Sequence, residues 1–358
     1  MSWHLSRFRA GELVEVRSKE EILASLDAEG CIEGMPFMPE MLEYCGRQVR
    51  VSVVAHKSCD TVRKTWTGRR VQSAVHLEGA RCSGAAHSGC QADCNIYWKD
   101  AWLKPVAAAS RAPSETPPVG RPSSAPVNVD AAHAACTEQT LHQRTRVPAG
   151  SQQPEALYSC QATQLYEASE PLPWWDLRQY AFDVTTRNSS PRRVLGVLWL
   201  FALRWLVQHT PIGFKLIKRI SDNAHLRMTG RPAPAISGQI RHGERTPTGR
   251  LDLQRGERVR IKPLTQIEQT LDEKQSNRGM FFDHEMLPFC GEEFLVRDRV
   301  TRIIDESNGK MLQMKEPCIT LEGVVCKSQY NACRLLCPRA IRPYWREIWL
   351  ERVDADRA

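Results

Sequence analysis

The sequence lacks the short signatures that announce common enzyme chemistry. It has no G-x-x-x-x-G-K-[ST] loop to cradle phosphates, no H-E-x-x-H to set two imidazoles on one helical face, and no G-x-S-x-G to expose a nucleophilic serine. Nucleoside triphosphatases of the P-loop type, the common zinc proteases and the α/β-hydrolases are therefore poor readings. Residues Met1 to Gly11 contain no apolar stretch of the secretory kind, which predicts a cytoplasmic chain. The longest apolar stretch, Val194 to Val207, has 14 residues interrupted only by Arg204, short of the ~20 that cross a bilayer. From Leu103 to Leu157 there is no Phe, Tyr or Trp, so little of that stretch can be buried.

What is present is an ordinary globular balance, 42% hydrophobic and 25% charged over 358 residues, enough for two or three domains. Thirteen cysteines are many for a reducing compartment, where a disulfide framework is not expected and metal binding or redox chemistry is the better account. The net charge of +8 is unevenly placed: Arg187 to Arg250 holds twelve Lys or Arg against Asp222 and Glu244, a surplus larger than that of the whole chain. Attraction to an anionic surface belongs to that middle segment.

The chain repeats itself. Residues 11–46 align without gaps onto 256–291 at an offset of 245, with Gly11-Glu12 on Gly256-Glu257, Leu26-Asp27 on Leu271-Asp272, and Glu40-Met41-Leu42 on Glu285-Met286-Leu287. Further on, Leu77-Glu78-Gly79 meets Leu321-Glu322-Gly323, and Tyr97-Trp98-Lys99-Asp100-Ala101-Trp102-Leu103 meets Tyr344-Trp345-Arg346-Glu347-Ile348-Trp349-Leu350.

Each copy opens with an alternating strand, Leu13 to Val16 or Arg258 to Ile261, followed by a short helix with a capping-box spacing, Ser18 with Glu21 or Thr265 with Glu268. Pro39 and Gly46 bracket a helical turn ending at Cys45, and Gln48 to Val53 alternates as a strand. The expected architecture is α+β: two small barrel-like modules with cysteine-bearing loops over 8–105 and 251–354, a disordered linker over 106–155, and a basic, partly helical middle over 156–250. The pattern resembles duplicated, cysteine-rich bacterial proteins, through both modules and some of the middle, and the resemblance implies no catalytic role.

Four cysteine positions are shared: Cys45 with Cys290, Cys82 with Cys326, Cys90 with Cys333, and Cys94 with Cys337, spaced C-x(35–36)-C-x(6–7)-C-x(3)-C. Cys31, Cys59 and Cys318 face Ser276, Ile304 and Ala74 and are replaceable. Two diverged copies that keep the same four thiols point to one metal per module, held by the quartets Cys45, Cys82, Cys90, Cys94 and Cys290, Cys326, Cys333, Cys337. A tetrahedral zinc site needs every ligand and contributes folding free energy directly. An all-thiolate set also suits an iron–sulfur cluster. Paired C-x2-C knuckles are missing, and disulfides or plain buried thiols stay open as alternatives. No histidine is shared, since His56 faces Thr301 and His76 faces Thr320.

The shared aromatics, Tyr97, Trp98 and Trp102 with their counterparts, read as core before they read as a stacking platform for bases or sugars. Glu78 and Glu322 read as strand-end carboxylates before buried general bases. Cys160 has no counterpart and is a weak candidate nucleophile, because no base can be placed beside it from sequence. Val194 to Val207, with Arg192-Arg193 before it and Lys215, Lys218 and Arg219 after it, suits either a core helix between the modules or an interfacial helix, through 192–219, on an anionic membrane. The function these features point to is a metal-binding, zinc-stapled scaffold or interaction protein with a protein partner, peripheral to a membrane in one version. An iron–sulfur or thiol-dependent oxidoreductase is the alternative, and nucleic-acid binding a third, lacking any recognition motif.

Overall fold

The computed structural model describes residues 3–63, 67–106, 136–147, 156–209, 214–229, 236–241, 243–330 and 335–353. Most of the expected linker over 106–155 lies outside the described residues, and so does Cys333 of the second module. Helices make up 27% and strands 26%, an α+β composition.

Five strands, Leu13–Val16 (β1), Gln48–Val54 (β2), Ala74–Leu77 (β3), Trp98–Lys99 (β4) and Leu103–Pro105 (β5), form a sheet in the order β4-β3-β2-β1-β5. Arg258–Ile261 (β6), Glu293–Ile304 (β7), Met311–Leu321 (β8) and Leu350–Arg352 (β9) form a second, ordered β8-β7-β6-β9. Alternation in β1 and β6 puts Val14 and Val16, or Val259 and Ile261, on the buried face. Neither strand order closes into a barrel: the first sheet ends on the short strands β4 and β5, the second on the 11-residue β8 and the short β9, and a half-barrel is as far as the curvature goes.

Pairing follows one scheme in both sheets. Leu13 pairs with Arg50 and Arg258 with Leu295; Val16 pairs with Leu103 and Ile261 with Leu350. A register shift falls between Val51 and Val53 in β2 and between Val296 and Asp298 in β7. Left-handed backbone recurs at Glu33 and Arg278, at Gly84 and Ser328, and at Asp93 and Leu336.

The aromatic segments are core in both sheets. Phe37 stands edge-on to Trp98 and Trp102 with ring centroids 6.2 and 5.1 Å away, and Phe282 does the same to Trp345 and Trp349 at 6.1 and 5.2 Å. All four tryptophans are fully buried. The charges kept beside them are ties. Lys99 Nζ donates to Glu33 and to the Gln72 carbonyl, while Arg346 donates to the Glu316 and Arg278 carbonyls. Asp100 accepts from Ser6 and the Arg7 amide, and Glu347 from the amides of Leu251, Asp252 and Leu253, so each acid holds the chain entering its own sheet.

Two expectations need correction. The first helix, Lys19–Ser25 (α1), carries the Ser18/Glu21 capping box, but the second copy starts at Leu264 behind Pro263, and Thr265 falls inside the helix without capping it. Glu78 and Glu322, as expected of strand-end carboxylates, are exposed in turns before left-handed glycines. Part of the expected linker folds: Glu138–Arg144 (α2) is capped by Thr137 and buries Leu141 and Cys136 in the first core.

The middle region is built into the first module. Glu170–Leu172 pairs with Gly68–Arg70, which pairs with Lys57–Ser58. Gln161–Gln164 (α3) is pinned by the Gln161 amide, which accepts from the Tyr97 N–H and donates to the Pro36 and Tyr97 carbonyls. Arg178–Thr185 (α4), Pro191–His209 (α5) and Phe214–Thr229 (α6) follow, and the last helix, Leu264–Glu268 (α7), belongs to the second module. Val194 and Val197 of α5 pack with Tyr180 of α4 and with Leu335 and Leu336 of the second module, which accounts for one side of the apolar run. Among the described residues no helix is long and apolar enough to cross a membrane.

Candidate metal centre

The loop Cys82 to Cys94 leaves β3 and doubles back at once. Its turn is set by Gly84, left-handed at φ +72°, whose carbonyl accepts from the amides of His87 (3.1 Å) and Gly89 (2.8 Å). A methyl group at Gly84 would run into the Cys90 carbonyl, so the turn is closed as tightly as backbone allows. Cys82 N–H donates to the Cys94 carbonyl at 2.9 Å and shuts the loop's neck.

This folding turns His87 inward, 1% exposed, with Nε2 3.3 Å from Cys82 Sγ. Glu40, on the 3-10 turn Pro39–Tyr44, brings Oε1 to 3.2 Å from the same sulfur. The three donor atoms lie within 4.8 Å of one another, and they are the only such group of three among the described residues. Two atoms of the cluster are buried with no hydrogen-bond partner, Oε2 of Glu40 and Nδ1 of His87. Burial pushes the Cys82 thiol well above its ordinary range, with Glu40 adding to the effect, and draws His87 downward against the pull of Glu40. Both shifts work against a thiolate–imidazolium nucleophile.

The trio opens on a cavity of about 30 Å3, room for an ion or a water or two. Cys90, Cys94 and Cys160 line it, and so do Glu306 and Arg339 from the second module. The Cys90 sulfur accepts the Ile304 amide at 3.3 Å, and Gln91 holds the Thr301 amide at 2.7 Å, so the cysteine loop is clamped onto β7. Cys160 is buried at the N-terminus of α3, its thiol pushed up to about 11 by burial, which is a poor setting for a nucleophile.

The second module has a corresponding cavity lined by Cys326, Cys337, Glu285 and, from the first module, Cys59. Its chemistry differs. Glu285, counterpart of Glu40, accepts the amides of Gln329 (2.8 and 3.0 Å) and Tyr330 (2.8 Å), and no histidine occurs between Cys326 and Cys337. Burial raises Cys326 to about 12, and a hydrogen bond that the Cys337 thiol donates to Cys59, with burial behind it, raises Cys337.

The expected quartets are thus brought together only in part. Cys82, Cys90 and Cys94 share a cavity, as do Cys326 and Cys337, while Cys333 lies outside the described residues. Cys45 and Cys290 cap the 3-10 turns Pro39–Tyr44 and His284–Phe289 and line neither cavity. Their place is taken by sulfurs that the copies do not share, Cys160 in one cavity and Cys59 in the other. Sequence reasoning missed Glu40 and His87. The spacing Cys82-x4-His87-x2-Cys90-x3-Cys94 was legible, but a comparison restricted to shared residues discards a histidine present in one copy.

No family model matches the chain, and comparison with curated proteins and with solved structures likewise returns no similar protein, so the chemistry of this centre rests on its own residues.

Proposed function

We propose that the chain is a tandem duplication whose first copy binds a zinc ion through Glu40, Cys82 and His87, and that the metal staples a non-catalytic interaction scaffold. The observation that carries this reading is the convergence of an oxygen, a sulfur and a nitrogen donor within 4.8 Å. The two unpartnered buried atoms behind them support it. A mixed oxygen, nitrogen and sulfur set suits the borderline-soft zinc ion better than an iron–sulfur cluster, which is held by cysteine thiolates. Cys90, Cys94 and Cys160 supply the nearest further sulfur for a fourth, closing ligand, the arrangement of a structural site. Matching strand order, register and left-handed positions support the duplication, and the pairing of Glu285 with backbone amides is why the second copy is not assigned the same three ligands.

Elemental analysis of the purified full-length chain tests it. About one zinc per chain is expected, lost in Cys82→Ser and His87→Ala and kept in Cys45→Ser. Because the ligand variants can fail to fold, cobalt substitution of the unaltered chain serves as a second readout, with thiolate-to-cobalt charge transfer expected. A brown, iron-containing protein overturns the zinc reading in favour of a cluster, and a folded chain free of any metal overturns the site.

A further inference from the structure

Helix α5 has two apolar faces, and among the described residues only one of them is covered. Val194, Val197 and Phe201 turn inward onto α4 and the second module. Arg192, Leu195, Trp199 and Ala202, at the three-to-four-residue spacing of a single helix face, are exposed, Leu195 by 68% and Trp199 by 55%. A helix on a protein surface ordinarily turns charge outward along that stripe. Beside it, Trp174 packs edge-on to Phe201 with centroids 5.2 Å apart and leaves its neighbours Trp175 and Leu177 exposed by 62% and 69%.

The charge around this patch is mostly of one sign: Asp176, between Trp175 and Leu177, is paired with Arg178 at 2.7 Å. Residues 187–229 contain eight Lys or Arg against one acid, Asp222, and that acid is paired with Lys218 at 2.7 Å. Arg192 and Arg193 are exposed at the start of α5, and Lys218 and Arg219 on α6, which packs against α5. No Asp or Glu occurs anywhere in α5.

From this geometry we infer that α5 and the Trp175–Leu177 turn form a lipid-docking surface for an anionic bilayer, a site separate from the metal centre. Tryptophan and leucine side chains enter the boundary between headgroups and acyl chains, where the indole keeps its N–H in the polar layer. The flanking cations meet anionic headgroups, each contributing about fivefold in affinity near the surface. An acidic protein patch would satisfy the charge, but it would leave four large apolar side chains needing a matching apolar groove. A negatively charged bilayer offers both at once.

The test uses the full-length chain with sucrose-loaded vesicles, phosphatidylcholine alone against phosphatidylcholine mixed with phosphatidylglycerol. Co-sedimentation with the mixed vesicles is expected, weakening with added salt. Brominated acyl chains are expected to quench tryptophan fluorescence of the unaltered protein. Arg192→Gln with Arg193→Gln is expected to lower affinity by about 25-fold, taking roughly fivefold per cation, and Leu195→Ser with Trp199→Ser to abolish both sedimentation and quenching. Equal binding to both vesicle types, or to neither, overturns the inference. Concentration-dependent self-association that Trp199→Ser removes, without vesicle binding, assigns the face to a second copy of the chain and overturns it equally.

Discussion

The ammonium of Lys57 lies 2.6 Å from Oδ2 of Asp183, and both side chains are sealed from solvent where the sheet Lys57–Ser58 of the first module meets α4 of the middle region. Burial alone would discharge both groups, and their mutual attraction opposes it. The Tyr180 ring covers the ammonium at 4.8 Å, and Nε2 of His56 stands 3.5 Å from the other carboxylate oxygen. The middle region is therefore joined to the first module by a desolvated ion pair as well as by strand pairing.

Removing one partner leaves the other charged and buried. Lys57→Met is expected to lower stability by roughly 3–5 kcal/mol, read from chemical denaturation monitored by tryptophan fluorescence. The double variant Lys57→Met with Asp183→Leu is expected to recover most of that loss, because no isolated charge remains.

Two buried histidines make the fold acid-sensitive. Burial lowers His56 to about 3, with Lys57 repelling a second positive charge, and lowers His76 to about 4. Each is neutral in the folded chain and protonates near the ordinary 6.5 once unfolded. Their stability contribution is therefore present above about 6.5 and is lost as pH falls toward about 4 and then about 3. Thermal unfolding followed from pH 7 to pH 4 is expected to show a falling midpoint, and His76→Gln, which keeps a donor for the Ile96 carbonyl, is expected to flatten the profile.

Gly84 and Gly79 share the same left-handed φ of +72°, but a methyl at Gly79 meets nothing within 4 Å while one at Gly84 strikes the Cys90 backbone. Gly79→Ala is expected to cost only the conformational strain, about 1 kcal/mol. Gly84→Ala is expected to cost roughly 1–3 kcal/mol more and to lower bound metal, because the turn that carries His87 inward must open. Melting temperature and zinc content measured on the two variants side by side separate these effects.

Glu347 holds the entry to the second sheet through three backbone amides and Arg299 at 2.7 Å. Glu347→Ala leaves those donors at a partly buried site, and a loss of about 2–3 kcal/mol is expected. Hydrogen exchange should speed up selectively at Leu251 to Leu253, whereas a uniform increase would mean that the acid supports the whole module.

The elements legible in the sequence were those fixed by local chemistry. Alternation placed β1 and β6, Ser18 and Glu21 placed the start of α1, and the doubled Tyr-Trp segment marked a core that both sheets use. The α2 helix escaped notice because its burial rests on two residues, Cys136 and Leu141, within a stretch otherwise poor in apolar side chains. The candidate ligands escaped for another reason, since pairing like with like across a repeat finds what the copies share: Glu40 is matched by Glu285, but His87, which turns Glu40 and Cys82 into a three-donor group, has no counterpart.

Sequence alone determined the self-similarity of residues 11–46 and 256–291, the α+β class and the position of the cysteines along the chain, because periodicity, capping and identity at a fixed offset are read directly along the chain. Which sulfurs face one cavity was decided by tertiary structure. Cys45 is turned away at the end of a 3-10 turn, while Cys160 and Cys59 arrive from the middle helix and the opposite module, and distances through space between residues far apart in the chain depend on how the sheets and loops pack, which no spacing encodes.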